Sequence, residues 1–413
     1  MVAAKAVQQQ ADASASAQPP LARTVAFFGH DWTESTVVKR VNAFQAHGTR
    51  VIGFMFRRAQ RTAPAGAAWE NVDLGTTVDR HYLLRLAKLA SGLFKILRHR
   101  AALRQAQIYY ARNIDMLLLA LMARALIGSR APVVYEVLDV QRVFVGSGLV
   151  SRAFRAAERL LMARAALLVV SSPAFISEYF VPCQNYSGRW RLIENKVSAA
   201  QALPAATGTQ RSKTADPPWV IGWFGTLRCL RSLEILSRIA DAGQGKVIVH
   251  VRGLPSQEDL TLEQIEAACD GRSNLVYGGP YRSPQDLPAI YGPVHLAWCI
   301  DYLDAGGNSD WLLPNRVYEG GLMGCLALAR RGTATADMVD RVGLGWSFEE
   351  PLEASIGEFI AHLTAGTLED AQHRLEAVPR STFVDLTDTR DLLDEMDSLC
   401  DPRSGARSVT TSF

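Results

Sequence analysis

The sequence lacks the residue clusters that usually hold a metal ion or form a framework of disulfides. Its six cysteines are scattered without a CxxC pair, and its eight histidines include no HExxH pattern. This spacing argues against a zinc site and against a disulfide-stapled secreted scaffold, and it favours a reducing compartment.

The sequence also has no long hydrophobic run. Its longest apolar stretches, near residues 116–122 and 165–170, are far shorter than the roughly 20 residues that a membrane-spanning helix needs. Residues 1–22 contain one lysine and no apolar segment typical of a secretory signal. We therefore predict a disordered tail there and a cytoplasmic protein.

The charges are nearly balanced overall, but the two halves of the chain differ. Residues 1–200 carry 26 Lys and Arg against 12 Asp and Glu, a net charge of +14. Residues 201–413 carry 18 against 29, a net charge of −11. This asymmetry indicates two domains with different partners. Aromatic residues do not alternate with the basic ones as in nucleic-acid-binding modules, so we expect no nucleic acid and favour an anionic membrane surface.

Strand and helix patterns alternate along the chain in two series. The first begins at TVAFFGH; a loop-like stretch over residues 59–79 and one long helical pattern over residues 80–104 follow within it. The second begins at WVIGWFG. The alternation predicts two α/β domains with parallel sheets. The last helix could pack back on the first domain. The predicted ranges are a disordered tail at 1–22, an N-terminal domain at 23–197, a linker at 198–218, a C-terminal domain at 219–400 and a disordered tail at 401–413.

The segment SDWLLPNRVYEGGLMGCLALA, residues 309–329, carries the most chemical information. Pro314 stands where a helix would begin, because its ring fixes a helical φ and its missing N–H needs no partner there. Asn315, Arg316 and Glu319 can then share one helix face. A cation in the first turn suits a diphosphate, and a carboxylate one turn later suits ribose hydroxyls. The alternative is an ordinary surface helix with an Arg–Glu pair.

Three glycines interrupt the same predicted helix. Gly320, Gly321 and Gly324 would each cost roughly 0.5–1 kcal/mol relative to alanine in a helix interior. That cost suggests that another backbone or a ligand comes very close. The apolar run over residues 325–329 that follows predicts a buried strand.

A second informative segment is YLLRLAKLASGLFKILRHRAALR, residues 82–104. No acidic residue occurs between Asp79 and Asp115, and leucines alternate with basic residues in a basic amphipathic pattern. Such a helix is suited to lie on an anionic leaflet, with its apolar residues facing the core or the acyl chains. The alternative is a core-packing helix with a basic solvent face. The cations assigned to this membrane or acceptor side are Arg85, Lys88, Lys95 and Arg98.

Taken together, these motifs resemble those of the GT-B glycosyltransferases, especially family 4, over roughly residues 24–365. In the second half, IGWFGTLRCLRSLEIL and LPNRVYEGGLMGCLALA resemble the two nucleotide-sugar motifs of that family. In the first half, VAFFGHD, VVYEVLDV, VVSSPAF and IENKV resemble its acceptor domain. The resemblance implies two Rossmann-like α/β domains with an interdomain cleft. It assigns the donor to Gly225, Thr226, Arg231, Asn315, Arg316 and Glu319.

Within this resemblance, backbone N–H groups at Gly225 and Thr226 and the guanidinium of Arg231 would hold the leaving diphosphate. For Arg231 the alternative is a solvated first-turn residue. Arg228 is a weaker candidate and is expected at the surface.

Asp139 and His30 are the catalytic candidates that the resemblance implies. Asp139 follows an apolar strand, where it could take the acceptor proton or hold the acceptor in line. His30 follows the first strand at the same edge of the predicted sheet. The alternatives are an aspartate that caps the following segment and a structural histidine.

Two positions depart from the family pattern. Eight residues before Glu319, where family 4 has a further glutamate, this chain has Trp311, with only Asp310 nearby. Many members have His-Asp where this chain has Leu138-Asp139. Family 4 generally retains the anomeric configuration, but these departures leave open whether this chain retains or inverts it.

The resemblance implies a glycosyltransferase that uses a nucleotide-diphosphate sugar, with UDP as the favoured nucleotide, and needs no metal or other cofactor. The expected acceptor is a polyprenyl-diphosphate-linked oligosaccharide of bacterial exopolysaccharide assembly, met at the inner face of the plasma membrane. A sugar-nucleotide epimerase on the same fold and a non-catalytic nucleotide-sugar-binding assembly partner stay open. An NAD-dependent oxidoreductase is disfavoured because neither first-strand loop has the three-glycine fingerprint.

Overall fold

The computed structural model describes residues 23–58, 66–77, 82–199, 214–243 and 245–401. The predicted tail at 1–22, nearly all of the predicted tail at 401–413 and residues 200–213 of the predicted linker lie outside these ranges. Among the described residues, no helix has the length and apolar character that a bilayer crossing requires.

The first half of the chain forms a seven-stranded sheet in the order β3-β2-β1-β4-β5-β6-β7. The strand pairs β1–β2, β1–β4, β2–β3, β5–β6 and β6–β7 are parallel. In chain order the elements are β1 (Thr24–Gly29), α1 (Ser35–Ala46), β2 (Arg50–Arg58), β3 (Glu70–Thr77), α2 (Tyr82–Arg98), α3 (Arg100–Gln105), β4 (Ile108–Arg112), α4 (Ile114–Ile127), β5 (Val133–Val137), α5 (Arg142–Val145), α6 (Leu149–Met162), β6 (Leu167–Val170), α7 (Pro173–Phe175), a π-helical turn (Ile176–Phe180), α8 (Val181–Gln184), β7 (Trp190–Leu192) and β8 (Val197–Ser198).

The second half forms a six-stranded parallel sheet in the order β11-β10-β9-β12-β13-β14, and β15 pairs in parallel with β8. Two parallel sheets with intervening helices confirm the predicted α/β class. The elements are β9 (Trp219–Phe224), α9 (Leu230–Ala242), β10 (Val247–Arg252), α10 (Leu262–Cys269), β11 (Leu275–Tyr277), α11 (Leu287–Tyr291), β12 (Leu296–Trp298), α12 (Asn308–Trp311), α13 (Asn315–Leu322), β13 (Leu326–Arg330), α14 (Ala334–Val342), β14 (Gly345–Phe348), α15 (Leu352–His362), α16 (Ala365–Glu376), a 3₁₀ turn (Arg380–Thr382), β15 (Val384–Asp385) and α17 (Asp388–Cys400).

Contacts within the chain define two compact units. The first consists of residues 1–111, 118–133 and 398–413, and the second of residues 112–117 and 134–397. The predicted domain boundaries at 197 and 219 stay a prediction. All donor-site candidates and Asp139 belong to the second unit, whereas His30 and the basic residues of α2 belong to the first.

Several elements differ from the sequence-based expectation. Residues 59–79 were expected to form a loop, but Glu70–Thr77 is strand β3, a polar edge strand without the apolar pattern that usually reveals a strand. The single helix expected over residues 80–104 is two helices, which end and restart around His99. Helix α14 and strand β14 were not predicted, although Thr333 caps the helix and Gly343, with a φ of +79°, ends it.

The glycines of α13 have packing reasons and not the ligand or backbone approach that the sequence suggested. A Cβ on Gly321 would lie 2.2 Å from a ring carbon of Phe383, and one on Gly320 would lie 3.0 Å from the Cβ of Ala297. Gly324 has a φ of +70°, which suits the turn into β13. The Gly320 contact seats α13 directly on strand β12 of the second sheet, and the Gly321 contact packs the helix against Phe383. The apolar run after the helix forms the buried strand β13, as predicted.

Candidate nucleotide-sugar site

The carboxyl edge of the second sheet, between β9 and β12, is where a ligand is expected. The order of the strands along the chain reverses at this point, because β10 and β11 lie on one side of β9 and β12 to β14 lie on the other. In open parallel sheets, ligands bind outside the carboxyl ends of the strands at such a switch point. The residues that emerge here are 225–228, after β9, and 299–301, after β12.

The loop after β9 is tightly bound to its neighbour. Gly225 has a φ of +125°, and its N–H donates to the carbonyl of Arg252 over 3.1 Å. A Cβ on Gly253 would lie 1.7 Å from the Gly225 carbonyl oxygen, so only glycine fits there. The prediction that the Gly225 N–H binds phosphate is therefore wrong, because this donor continues the sheet ladder. Thr226 follows with an exposed side chain.

Arg228 and Asp301 form an ion pair at the switch point. The Nε and Nη2 atoms of Arg228 each lie 3.4 Å from Oδ2 of Asp301, and the arginine side chain is only 34% exposed. The other oxygen of Asp301 accepts from the Leu303 N–H at 2.7 Å and from the Ser309 hydroxyl at 3.0 Å. Burial alone would raise the pKa of Asp301, but Arg228 and these donors hold it below its usual value. Arg228 was expected at the surface, and the structure corrects this.

Arg316 is a half-buried cation in the first turn of α13, one residue after Asn315, which is also half-buried. The positive charge of Arg316 helps to lower the pKa of Asp301, and it also acts on Cys299. Burial raises the pKa of the Cys299 thiol to about 12, and Arg316 opposes that rise. Among the described residues no carboxylate lies within ion-pair distance of Arg316, so the alternative of a surface Arg–Glu pair is wrong.

Glu319 lies on the inner side of α13, one turn after Arg316. Its side chain is buried, with a relative exposure of 9%, and its Oε2 accepts from the Tyr291 hydroxyl over 3.4 Å. Burial and the charge of Glu319 both raise the pKa values of Tyr281 and Tyr291, which places the carboxylate beside both phenols.

Arg231 lies on the solvent side of the same edge. Its side chain is 53% exposed, its Nη2 lies 3.5 Å from Oε2 of Glu350, and its guanidinium stacks 5.1 Å from the ring centroid of Tyr302. Arg330 stacks 5.0 Å from the same ring, and the Tyr302 hydroxyl donates to Glu350. Arg231 therefore already has partners, and its assignment to the diphosphate stays a prediction.

Asp139 is held beside the switch point by Asn308. The Nδ2 of Asn308 donates to Oδ1 of Asp139 over 3.0 Å, and its Oδ1 accepts from the Val140 N–H over 2.8 Å. Asn308 is buried, whereas Asp139 is exposed. The charge of Asp139 also acts on Arg228, where it and two other carboxylates offset the effect of burial and raise the arginine's pKa. The structure thus brings Asp139, Arg228, Asp301 and Arg316 into one polar cluster.

The position where family 4 carries its earlier glutamate has a structural function here. The carbonyl of Trp311 accepts from the Ser172 hydroxyl over 2.5 Å. The neighbouring Asp310 pairs with Arg330 and accepts from the Gly306 N–H over 2.9 Å. Asp310 is therefore engaged within the protein and does not stand in for the missing glutamate.

His30 and Asp31 form a compact turn in the first unit. The Nε2 of His30 lies 2.5 Å from Oε2 of Glu34. Asp31 is fully buried, and its Oδ1 accepts from the N–H and the hydroxyl of Thr33 at 3.0 and 2.7 Å. These contacts fit the structural alternative for His30, and its catalytic assignment stays a prediction.

The basic helix α2 packs against the core of the first unit. Leu89 and Ile96 are buried, and Lys95 donates to the carbonyls of Asp73 and Leu74 at 3.4 and 3.2 Å. The other basic side chains of α2 and α3 that the structure describes are exposed. Phe94 is also exposed, and Arg98 stacks 4.8 Å from the centre of its ring. Lys88 is exposed, and Arg85 lies in the first turn of α2, where side chains are outside the description. The helix therefore has a core-packing face and a basic solvent face.

No family model matches the sequence. The curated succinoglycan biosynthesis protein ExoL from Rhizobium meliloti (strain 1021) is 34% identical over 378 residues, which cover 91% of this chain and 93% of that protein. The chain belongs to the ExoL family.

Several solved structures share the fold. Sucrose-phosphate synthase from Thermosynechococcus elongatus has a TM-score of 0.67 at 13% identity, covering 91% of this chain and 99% of that chain. HepE from Anabaena in complex with UDP has a TM-score of 0.63 at 16% identity, with coverages of 91% and 100%. A glycosyltransferase from Rickettsia africae has a TM-score of 0.62 at 11% identity, with coverages of 93% and 100%. These likenesses confirm the predicted GT-B fold.

Sequence reasoning missed two residues of the site. Asp301 follows the apolar strand β12 just as Asp139 follows β5, so the same rule about carboxyl ends of strands could have found it. Asn308 lies in a loop-rich segment without periodicity, and no local signal indicates its contact with Asp139. Within the described ranges, no group of three or more His, Cys, Asp or Glu side chains is arranged to hold a metal ion.

Proposed function

We propose that the chain is a glycosyltransferase that moves a sugar from UDP to a lipid-linked saccharide during the assembly of a bacterial exopolysaccharide. Two findings support this proposal: the ExoL relative is named for succinoglycan biosynthesis, and HepE, which shares the fold, has been solved with UDP and with UDP-glucose. The observation that carries it is that helix α13, at the switch point of the second sheet, holds two suitable side chains one turn apart. Arg316 has no carboxylate within ion-pair distance among the described residues, and Glu319 is buried.

The diphosphate would bind at the amino end of α13. The first turn of a helix presents N–H groups and a partial positive charge to an anion. Arg316 adds a full positive charge there and has no carboxylate competing for it among the described residues. Arg228 supplies a second guanidinium, oriented by Asp301. Arginine suits phosphate oxygens because its planar fork donates two parallel hydrogen bonds.

The ribose would bind beside Glu319. A carboxylate is a strong acceptor for hydroxyl donors, and that of Glu319 already accepts from the Tyr291 hydroxyl over 3.4 Å. Ribose hydroxyls are donors of the same kind. Burial makes this contact specific, because an ionised carboxylate sheltered from water needs strong donors.

The chemical step would break one bond and form another. An acceptor hydroxyl oxygen attacks the anomeric carbon, and the bond from that carbon to the diphosphate oxygen breaks, so that UDP leaves with the bonding electrons. The positive groups Arg228 and Arg316 would stabilise the charge that develops on UDP. Asp139 would take the proton of the acceptor hydroxyl or hold that hydroxyl in line. Asn308 would keep the carboxylate in place.

The lipid-linked acceptor calls for contact with a membrane surface. In the first unit, helix α2 presents the exposed side chains of Lys88, Phe94 and Arg98. A basic surface with an aromatic side chain is suited to anionic headgroups. We therefore propose that the protein acts at the cytoplasmic face of the plasma membrane as a peripheral protein, without a resident metal ion.

The experiment that tests this function measures transfer directly. Purified full-length protein is incubated with radiolabelled UDP-sugars and a bacterial polyprenyl-lipid extract, and label is counted in the organic phase. The proposal predicts label there from at least one UDP-sugar and about 100-fold less from the Glu319→Gln protein. Conversion of the donor to another UDP-sugar without an acceptor would identify an epimerase instead. Donor binding with neither transfer nor conversion would identify a non-catalytic partner.

A further inference from the structure

Helix α6 in the second unit buries a carboxylate and exposes a row of aliphatic side chains. Glu158, on the inner face, is 3% exposed. Its oxygens accept from the hydroxyl of Tyr135 at 2.8 Å, from the amide of Gln184 at 2.5 Å and from the hydroxyl of Tyr179. Burial raises the pKa of Glu158, and these three donors oppose the rise. The Glu158 carboxylate is thus engaged by donors inside the protein.

The outer face of α6 carries exposed aliphatic side chains. Leu149 is 79% exposed, and Val150 and Leu160 are also largely exposed. At 100° per residue, Leu149 and Leu160 point the same way, and a rise of 1.5 Å per residue separates them by roughly 16 Å. We call this surface the α6 stripe: Leu149, Val150, Ala153, Ala156, Ala157 and Leu160, all exposed.

Arginines flank the α6 stripe. Arg152 and Arg159 are exposed on one side of it, seven residues apart, and Arg164 is exposed just beyond its end. Arg159 and Arg164 donate to backbone carbonyls, which leaves their charge unneutralised. Among the described residues no carboxylate pairs with any of these three arginines. Glu158 is the only acidic residue in the sequence from residue 140 to residue 177.

We propose that the α6 stripe docks on an anionic lipid bilayer, with its aliphatic side chains among the acyl chains and its arginines at the headgroups. An interfacial helix has this combination of an exposed apolar face and basic flanks. The charge favours a bilayer over a second copy of the same helix, since two copies would bring their arginines together. The α6 stripe consists of residues other than those of α2, and the inference rests on the proposed function, whose membrane contact it extends.

The test is co-sedimentation of the full-length protein with vesicles of phosphatidylglycerol and phosphatidylcholine. Replacing Leu149, Val150 and Leu160 by serine should weaken partitioning about 100-fold or more, because each buried CH₂ group that is lost contributes roughly fourfold. The affinity of the Arg152→Glu/Arg159→Glu protein should fall about 25-fold or more for anionic vesicles and little for neutral ones. Higher salt should also weaken the binding of the wild-type protein to anionic vesicles.

The matched control replaces Leu254 and Val276, two exposed aliphatic residues of the second half, by serine. It should bind vesicles as the wild type does. UDP binding by calorimetry is measured on every variant and should not change, so that loss of docking is distinguished from failure of the glycosyltransferase proposal. Unchanged vesicle binding by the triple-serine protein would overturn the inference. So would a result in which these changes dissolve a homodimer and leave vesicle binding intact.

Discussion

Removing the guanidinium of Arg316 tests the donor site most sharply, because this side chain has no competing carboxylate among the described residues. At about 4 Å, a unit charge and a phosphate attract with roughly 4 kcal/mol at an effective dielectric constant of about 20. Exchange of water reduces the net contribution of a hydrogen bond to a charged group to roughly 1.5–3 kcal/mol. Arg316→Ala should therefore raise the Kd for UDP by about 10- to 150-fold.

Arg316→Lys should lie between the wild type and Arg316→Ala, because it keeps the charge and loses the planar fork. Arg272→Ala is the matched control: this arginine pairs with Asp241 at 2.7 Å, near the amino end of β11 and away from the carboxyl edge. Kd values come from isothermal titration calorimetry, and urea unfolding confirms that each variant is folded. An Arg316→Ala protein that is fully folded and binds UDP within twofold of the wild type would refute the assignment of the diphosphate.

Three other predictions concern the surroundings of the site. Asn308→Ala should lower kcat by about tenfold and leave the KM for the donor unchanged, since it releases the Asp139 carboxylate; an equal fall in kcat and rise in KM would argue for a purely structural residue. Gly321→Ala should lower the free energy of unfolding, measured in urea, by about 1–3 kcal/mol, because a Cβ at this position has no space. Gly357→Ala should raise it by about 0.5–1 kcal/mol, because nothing lies within 4 Å of the new Cβ. Equal effects of the two changes would contradict the packing of α13. Because the pKa of Asp301 is lowered, its contribution to stability is present at pH 7 and lost as the pH falls below about 3.9. The wild type's stability advantage over Asp301→Asn should therefore shrink between pH 7 and pH 3. A constant difference in the urea midpoint would contradict this prediction.

The regular elements were largely predictable because buried parallel strands have continuous apolar runs. Strands β9 and β13 were found from such runs, and helix α9 from its periodicity. Strand β3 was missed because ENVDLGTT, at the edge of its sheet, has little apolar signal. The period of a pattern indicates an element only when one of its faces is buried.

The places of three candidates in the secondary structure were the most predictable part of the site. Asp139 follows strand β5, and Arg316 and the buried Glu319 lie on helix α13. Their assignments to catalysis and to the donor stay predictions. The partners could not be predicted, because they come from distant parts of the chain. Nothing local indicates that the Gly225 N–H bonds to the Arg252 carbonyl, or that Arg228 meets Asp301.

Hydrogen–deuterium exchange of the full-length protein with and without UDP would locate the nucleotide most directly. We predict slower exchange on UDP addition in residues 225–231, 299–302 and 314–322, and no change at the opposite edge of the same sheet. UDP binding with protection confined to other segments, or no binding at millimolar UDP, would contradict the assignment of the donor to the amino end of α13.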